Sequence, residues 1–316
     1  MFFRNLTLYR FPVGLAGFDA VEHSGKGGLW LEAPLFKGLR DAALRPVGPL
    51  ELVSRGFVSP YGRDSEVLHH HCGETLWLTV GTEARQLPGA VVNEELAKRL
   101  RALEVREGRR PGGRVRKQMK DDVVAELLPR AFVKPTRTDL LVDLARGVCA
   151  VDIASRKAAD AAVSELRRAL GSFPALPLHS EADVRGTLTG WLAGDPLPTG
   201  IALGDECVLM DAAEGGATVR CTRQDMASDE IARHLEAGKQ CMRLQLLLED
   251  HVSCVVGEDL VVRKFKLLDG AVERLDQTEP DDLVAELDAR FALMAGEFGR
   301  LFDVLDGALR FDKAGG

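Results

Sequence analysis

Aromatic residues are scarce in this sequence. They make up 6% of its 316 positions, with three tryptophans and two tyrosines. A stacking platform for single-stranded nucleic acid needs more rings, and no aromatic-rich strand resembles an RNA-binding sheet. The six cysteines, Cys72, Cys149, Cys207, Cys221, Cys241 and Cys254, contain no CxxC pair. That scatter excludes a zinc-finger spacing and suits reduced thiols in a cytoplasmic protein. There is no run of about 18 apolar residues, so no membrane span is expected. Met1-Phe2-Phe3-Arg4-Asn5 lacks the basic and apolar regions of a signal peptide. Also missing are a phosphate loop GxxxxGK[ST], a zinc motif HExxH and a nucleophile elbow GxSxG. The expectation is a protein that is not an enzyme and holds no cofactor or metal.

What is present is charge, unevenly placed. The net charge is −7, which by itself argues against nucleic acid. Yet Lys98, Arg99, Arg101, Arg106, Arg109, Arg110, Arg114, Arg116, Lys117 and Lys120 fall in one stretch, opposed inside it only by Glu104 and Glu107. Arginine outnumbers lysine there, and its planar fork suits phosphate oxygens. Such a run is either a solvated helix face or a phosphate-binding surface. Its lack of alternating acidic partners favours the second. The end of the chain reverses the sign, with Asp281, Asp282, Glu286, Asp288, Glu297, Asp303 and Asp306 against Arg290 and Arg300.

Hydrophobic periodicity predicts the elements. Residues 4–11 alternate like a strand, as do 74–86, with Leu76, Leu78 and Val80 on one face. Val92, Leu96, Leu100 and Leu103 are spaced as on a helix, which Pro111-Gly112-Gly113 interrupts; a second helical piece runs through Val123, Val124, Leu127 and Leu128. Residues 140–144 and 148–153 read as a hairpin turning at Arg146-Gly147. Ser155 caps a helix that stops at Gly171, and Ser228 caps a shorter one ending near Gly238. Strands are expected at 242–248, with Met242, Leu244 and Leu246 inward, and at 252–256 and 260–268. A long amphipathic helix closes the chain, with its stripe on Leu283, Leu287, Phe291, Met294, Phe298, Leu301 and Leu305. Residues 13–60 give no clear pattern. Without a βαβ rhythm the class is α+β, with mixed sheets and helices in several subdomains. Approximate boundaries are 1–135 with the basic helical segment, 136–180 for the hairpin and helix, 181–275 for a further α+β region, and 276–316 for the acidic helix.

One cluster could hold a metal: His69-His70-His71-Cys72, with Asp64 and Glu66 before it. Strand alternation lets only His69 with His71, or His70 with Cys72, share a face, and no second ligand pair follows. A solvated strand edge is the simpler account. Asp121-Asp122 and Asp281-Asp282 sit at expected helix starts, where they complement the dipole.

Local sequence then carries a resemblance along most of the chain. Leu127-Leu128-Pro129-Arg130-Ala131-Phe132, Leu170-Gly171-Ser172-Phe173-Pro174-Ala175-Leu176-Pro177-Leu178 and Leu188-Thr189-Gly190-Trp191-Leu192 occur in order. Arg223-Gln224-Asp225, Ser228-Asp229-Glu230-Ile231 and His234-Leu235-Glu236-Ala237-Gly238-Lys239 follow, then Phe291-Ala292-Leu293-Met294-Ala295-Gly296-Glu297. Together with Phe3-Arg4-Asn5-Leu6 and Tyr9-Arg10, these resemble the bacterial recombination-associated protein family RdgC. The similarity is weakest between residues 13 and 63.

The resemblance implies a ring-shaped homodimer whose basic central hole encloses DNA with little sequence preference and which restrains RecA-promoted strand exchange. Phe132 matches an aromatic knob that fills a pocket on the partner subunit. Its alternative is a plain core phenylalanine. Arg223 and Gln224 match a polar pair at the opposite interface; the family pattern has lysine in place of Arg223, which keeps the charge and changes the hydrogen-bond geometry. Arg109 matches a basic residue facing the hole. A continuous helix is expected where Pro111-Gly112-Gly113 stands, so the residues after Gly113 are expected to be a solvated turn. The expected DNA contacts are Lys98, Arg99, Arg101, Arg106, Arg109, Arg110, Arg114, Arg116 and Lys117. Double-stranded DNA is the expected partner, single-stranded DNA a second candidate, and the nucleoid the expected location. Two rivals stand beside this: a metal-dependent nuclease using Asp64, Glu66 and His69, and a protein-interaction scaffold built on the acidic C-terminal helix.

Overall fold

The computed structural model describes residues 3–14, 34–62, 65–212, 216–276 and 283–313. Asp64, Asp281 and Asp282 lie outside the described residues. In chain order the elements are β1 (Leu6–Arg10), α1 (Pro34–Asp41), β2 (Val53–Val58), β3 (His69–Cys72), β4 (Thr75–Gln86), α2 (Gly89–Glu107) and α3 (Gly113–Leu127). A 3-10 turn (Leu128–Arg130) leads to β5 (Phe132–Asp143), β6 (Val148–Asp152), α4 (Arg156–Leu170), β7 (Leu176–Pro177) and α5 (Val184–Ala193). The chain then forms β8 (Ile201–Asp211), β9 (Thr218–Thr222), α6 (Asp229–Glu236), β10 (Lys239–Leu248), β11 (Val252–Gly257), β12 (Val262–Leu267), α7 (Asp269–Asp276) and α8 (Leu283–Leu309).

The strands form one 12-stranded sheet in the order β2-β4-β5-β6-β1-β12-β11-β10-β8-β9, with β3 added to β4 and β7 to β1. Every ladder between these strands is antiparallel. The protein is therefore of the expected mixed class.

Four adjacent strands, β4, β5, β6 and β1, are buried on both faces, and strand alternation sorts their side chains into two cores. Leu6, Leu8, Trp77, Leu141, Val148 and Ala150 join the core closed by α5 and α8. Tyr9, Leu76, Leu78, Val80, Leu140, Val142, Cys149 and Val151 face the other way, into the core closed by α1 and α4. Burial on both faces explains runs such as Leu140-Leu141-Val142, which show no alternation of their own. On α8 the buried stripe is Phe291, Met294, Phe298, Leu301 and Leu305, as the spacing predicts, with Phe302 and Leu309 added. Each such side chain contributes about 1.5–3 kcal/mol on burial.

Sequence periodicity missed α1, β2, β7, α5, β8, β9 and α7. In β8, Gly204-Asp205-Glu206 breaks the apolar alternation, and its pairing with β10 contains register shifts at Cys241/Arg243 and Leu244/Leu246. The first shift also changes the phase of β10: Cys241, Leu244, Leu246 and Leu248 are buried and Met242 is not. An extra residue in one strand turns its neighbours to the opposite face. Periodicity assumes an unbroken register and therefore placed Met242 inside. β3 is likewise not a solvated edge: His70 is buried, and α8 packs over this strand.

Helix α1 lies close against α4. A Cβ at Gly38 would stand 1.9 Å from the carbonyl oxygen of Ala169. Backbone cannot give way as a flexible side chain does. Gly38→Ala should therefore cost about 1–3 kcal/mol through forced separation of the helices. A urea titration of stability should show the midpoint fall with the slope unchanged.

Candidate nucleic-acid interface

The β4–β5 pairing runs through twelve consecutive residue pairs, from Thr75↔Asp143 to Gln86↔Phe132. Its inner half lies between the two cores. In the outer half, Phe132 to Arg137 are exposed. The segment between Gln86 and Phe132, whose backbones are paired, must leave and return at one place. It does so as the helical hairpin of α2 and α3, held together by a modest apolar seam. Val92 and Val123 are buried, and Leu96, Leu100, Leu103, Met119, Val124 and Leu127 are half-buried.

The hairpin carries the whole basic stretch. Helix α2 ends at Glu107, and Gly108 caps it with a left-handed φ of 67°. Arg109 and Arg110 thus lie in the connecting loop, not on the helix, and their side chains are each 84% exposed. The residues after Gly113 are not a solvated turn: Arg114 and Arg116 occupy the first turn of α3, and Lys117 follows it. The stretch also has acidic partners. Lys98 meets Glu94 at 2.9 Å, and Arg99 joins Glu95 at 3.0 Å and Glu126 at 2.6 Å. Arg106 and Arg109 approach Glu107 at 3.7 and 3.8 Å, and Arg110 reaches Glu104 at 3.3 Å. The pairs with Glu94, Glu95 and Glu126 were invisible in a count begun at Lys98, because a helix and its neighbour bring charges together across sequence. The Arg116 guanidinium bonds the carbonyl oxygen of Pro111 at 3.2 Å. Among the described residues, Arg101, Arg114, Lys117 and Lys120 make no ion pair.

The first turn of α3 contains no acidic residue. Its free backbone N–H groups already carry the positive end of the helix dipole. Arg114 and Arg116 add like charge where it is least favourable, and Lys117 follows directly. An anion bound there would relieve that repulsion.

Phe132 is 88% exposed, so it is not a core phenylalanine. The turn before it is fixed by Arg85, whose Nη1 donates to the carbonyl oxygens of Leu128, Pro129 and Ala131 at 3.2, 3.2 and 3.3 Å. Beside the same ribbon is a pocket of about 920 Å³ that includes Leu44, Phe57, Val58, Val133 and Pro135 in its lining. Arg223 and Gln224 lie in a different part of the fold, between β9 and α6. Arg223 is exposed with a left-handed φ of 57°. The Gln224 backbone N–H donates to Asp205 at 3.2 Å, and its side-chain amide donates to Ser228, the N-cap of α6, at 3.1 Å. Sequence periodicity says nothing about either place; only the motif matches pointed there.

The histidines of β3 alternate as expected. The rings of His69 and His71 stack with centroids 6.4 Å apart, and His69 lies 4.0 Å from the Phe36 ring. On the opposite face, the Tyr61 hydroxyl shares a hydrogen bond with Nδ1 of His70, and Nε2 stands 3.2 Å from Asp288 on α8. Among the described residues no group of three or more His, Cys, Asp or Glu is placed to hold a metal ion. Several carboxylates of the acidic C-terminal helix are paired. Asp303 pairs with Arg146, Glu286 with Arg290, and buried Glu297 with Arg300 and His251.

Burial against Phe36 and α1, with His71 and His70 nearby, pushes His69 down from 6.5 to about 4. An unfolded chain takes up this proton near its ordinary value and the native state does not. Stability should then be fully present above pH 6.5 and decline as pH falls toward about 4. His69→Phe should flatten that part of the profile, read from urea midpoints across the window.

The comparisons with known proteins cover this whole arrangement. A family model described as "Putative exonuclease, RdgC" matches residues 1–311. The chain is 53% identical over 315 residues to the "Recombination-associated protein RdgC" of Xanthomonas axonopodis pv. citri (strain 306), covering 99% of this chain and 100% of that protein. It is 52% identical over 315 residues to the protein of the same name from Xylella fastidiosa (strain 9a5c), covering 99% of each. Similarity at this level spans the basic hairpin, Phe132 and the Arg223–Gln224 loop alike, and the chain belongs to the RdgC family of recombination-associated proteins.

Proposed function

We propose that this protein binds DNA without sequence preference, enclosing the duplex as a ring-shaped homodimer, and so restrains RecA-promoted recombination on the nucleoid. The observation that carries the reading is the α2–α3 hairpin. It projects from the sheet with unpaired cations and places Arg114 and Arg116 on the dipole-positive first turn of α3, with Lys117 next to them. A phosphate backbone supplies what that surface lacks. The contacts would be electrostatic and sequence-blind, since Lys and Arg side chains on phosphates position a protein without reading bases. Arg101, Arg114, Lys117 and Lys120 would contribute most. Lys98 and Arg99 would contribute less, because their acidic partners already neutralise them.

Phe132 supports the dimer. A solvent-facing phenylalanine close to an apolar-lined pocket forms one self-complementary patch, in which each ring enters the partner's pocket about a two-fold axis. The Arg223–Gln224 loop would form a second contact on that axis, and two such contacts enclose a hole. The net charge of −7 is compatible with this, because cations gather on the hairpin while many carboxylates are consumed in internal pairs. Occupancy of the duplex would then hinder a recombinase filament.

Nuclease activity is the second reading, favoured by the description of the matching family model. One experiment separates the two. On random-sequence duplex the observed affinity should fall linearly with salt on a log–log plot, by about 0.9 per phosphate neutralised. Arg114→Gln and Lys117→Gln should each reduce that slope by about 1, and Lys98→Gln should change it little. An affinity unchanged over a tenfold rise in salt would overturn the binding reading. Plasmid recovered intact after incubation with Mg²⁺ or Mn²⁺ counts for binding, and nicked or degraded plasmid counts for the nuclease.

Phe132→Ala should leave the fold intact, since the ring makes no core contact, yet dissociate the dimer and weaken DNA retention more than loss of one cation. Sedimentation velocity and gel shift on the same sample check this, and an intact dimer with normal retention would remove Phe132 from the interface.

A further inference from the structure

Three of the six cysteines converge on one face of the sheet. Cys207 on β8 and Cys221 on β9 are directly opposed in the antiparallel register, which puts their side chains on the same face of the sheet. Cys241 on β10 lies on the far side of Cys207. Directly opposed antiparallel residues have Cα atoms about 4.5–5.5 Å apart, inside the span of about 4.4–6.8 Å that a disulfide bridges. The two thiols differ in access. Cys207 is fully buried, whereas Cys221 is half-buried on β9, the last strand of the sheet. Burial, with Cys221 and Cys241 adding to it, pushes Cys207 well up. Burial alone holds Cys149 and Cys254 at about 12, and it also pushes Cys241 up to about 12. The reachable sulfur of the group is therefore Cys221, with a buried partner directly opposite it in the register.

We propose that Cys207 and Cys221 form an oxidisable dithiol, which a peroxide closes into a disulfide that fastens β9 and the Arg223–Gln224 loop to β8. The Cys221 thiolate attacks one peroxide oxygen, the O–O bond breaks, and water leaves after taking a proton, with Cys221 now a sulfenic acid. The Cys207 sulfur then attacks the Cys221 sulfur. The S–O bond breaks, and the departing hydroxide takes the Cys207 proton and leaves as a second water. In sum, two thiols and one hydrogen peroxide give one disulfide and two waters, a transfer of two electrons. In the reduced state the ion pair of Arg220 with Glu206 ties these strands through their side chains. Closing the bond adds a covalent one, two residues before Arg223.

The test uses the full-length protein without DNA, so its result is independent of the DNA-binding reading. Reduced protein is treated with hydrogen peroxide, alkylated under denaturing conditions and mapped without reduction. The expected product is a Cys207–Cys221 peptide pair that dithiothreitol separates. In Cys207→Ala, dimedone should trap a sulfenic acid at Cys221, and in Cys221→Ala no such adduct should form at Cys207. Hydrogen exchange at Val219–Gln224 should slow about fivefold or more on oxidation, because opening the edge strand must then carry its neighbour. Absence of the linked pair, a dominant Cys221–Cys241 or intersubunit link, or unchanged exchange in the linked protein would each overturn the proposal.

Discussion

The twelve-pair register of β4 with β5 is the constraint on which the rest of this structure depends. Its inner half is fixed by burial on both faces. Trp77 and Leu141 belong to one core; Leu76, Leu78, Leu140 and Val142 belong to the other. A slip of one residue would exchange these sets, so the alternation locks the pairing. Its outer half has few buried contacts of its own, and inherits its register from the inner half. Through it the core positions two features that never touch the core, the α2–α3 hairpin and Phe132. Arg85 completes the arrangement by bonding three carbonyl oxygens of the turn between them.

Charge follows a similar logic of placement over average. Several cations of the hairpin are spent on carboxylates four residues away or across the seam, as in Arg99 with Glu95 and Glu126. Such exposed pairs add little stability, about 0–1 kcal/mol each. They do cancel local potential. What remains is concentrated near the start of α3, where the backbone contributes the same sign. The stretch that first suggested phosphate binding is thus narrowed to Arg101 on α2 and the cations of α3.

The acidic end of the chain has the opposite fate. Read as sequence, it suggests a negative surface open to a partner. In the fold, Asp303 joins Arg146 at the β5–β6 turn, with Asp143 on the other side of the same guanidinium. Glu297 is buried against His251 and Arg300, and Asp288 stands beside His70. These carboxylates attach α8 to the sheet it covers.

By itself the sequence determined the mixed class, the first strand, the β5–β6 hairpin, the extent of helix α4, where Ser155 holds the N-cap position without a side-chain cap bond, and the closing helix α8. In each case a regular apolar period ended in a clear signal, such as Gly147 at a left-handed turn or Gly171 at the stop of α4. The family was legible too, because ordered local motifs need no fold to be compared. Tertiary structure decided what depends on contacts distant in sequence. Register shifts between β8 and β10 put Cys241 inside in place of Met242. Packing of α8 on β3 made a core residue of His70, and pairing across the α2–α3 seam separated spent cations from free ones. Periodicity reports one element at a time. Face, pairing and exposure are properties of two elements together, and only the folded chain supplies the second.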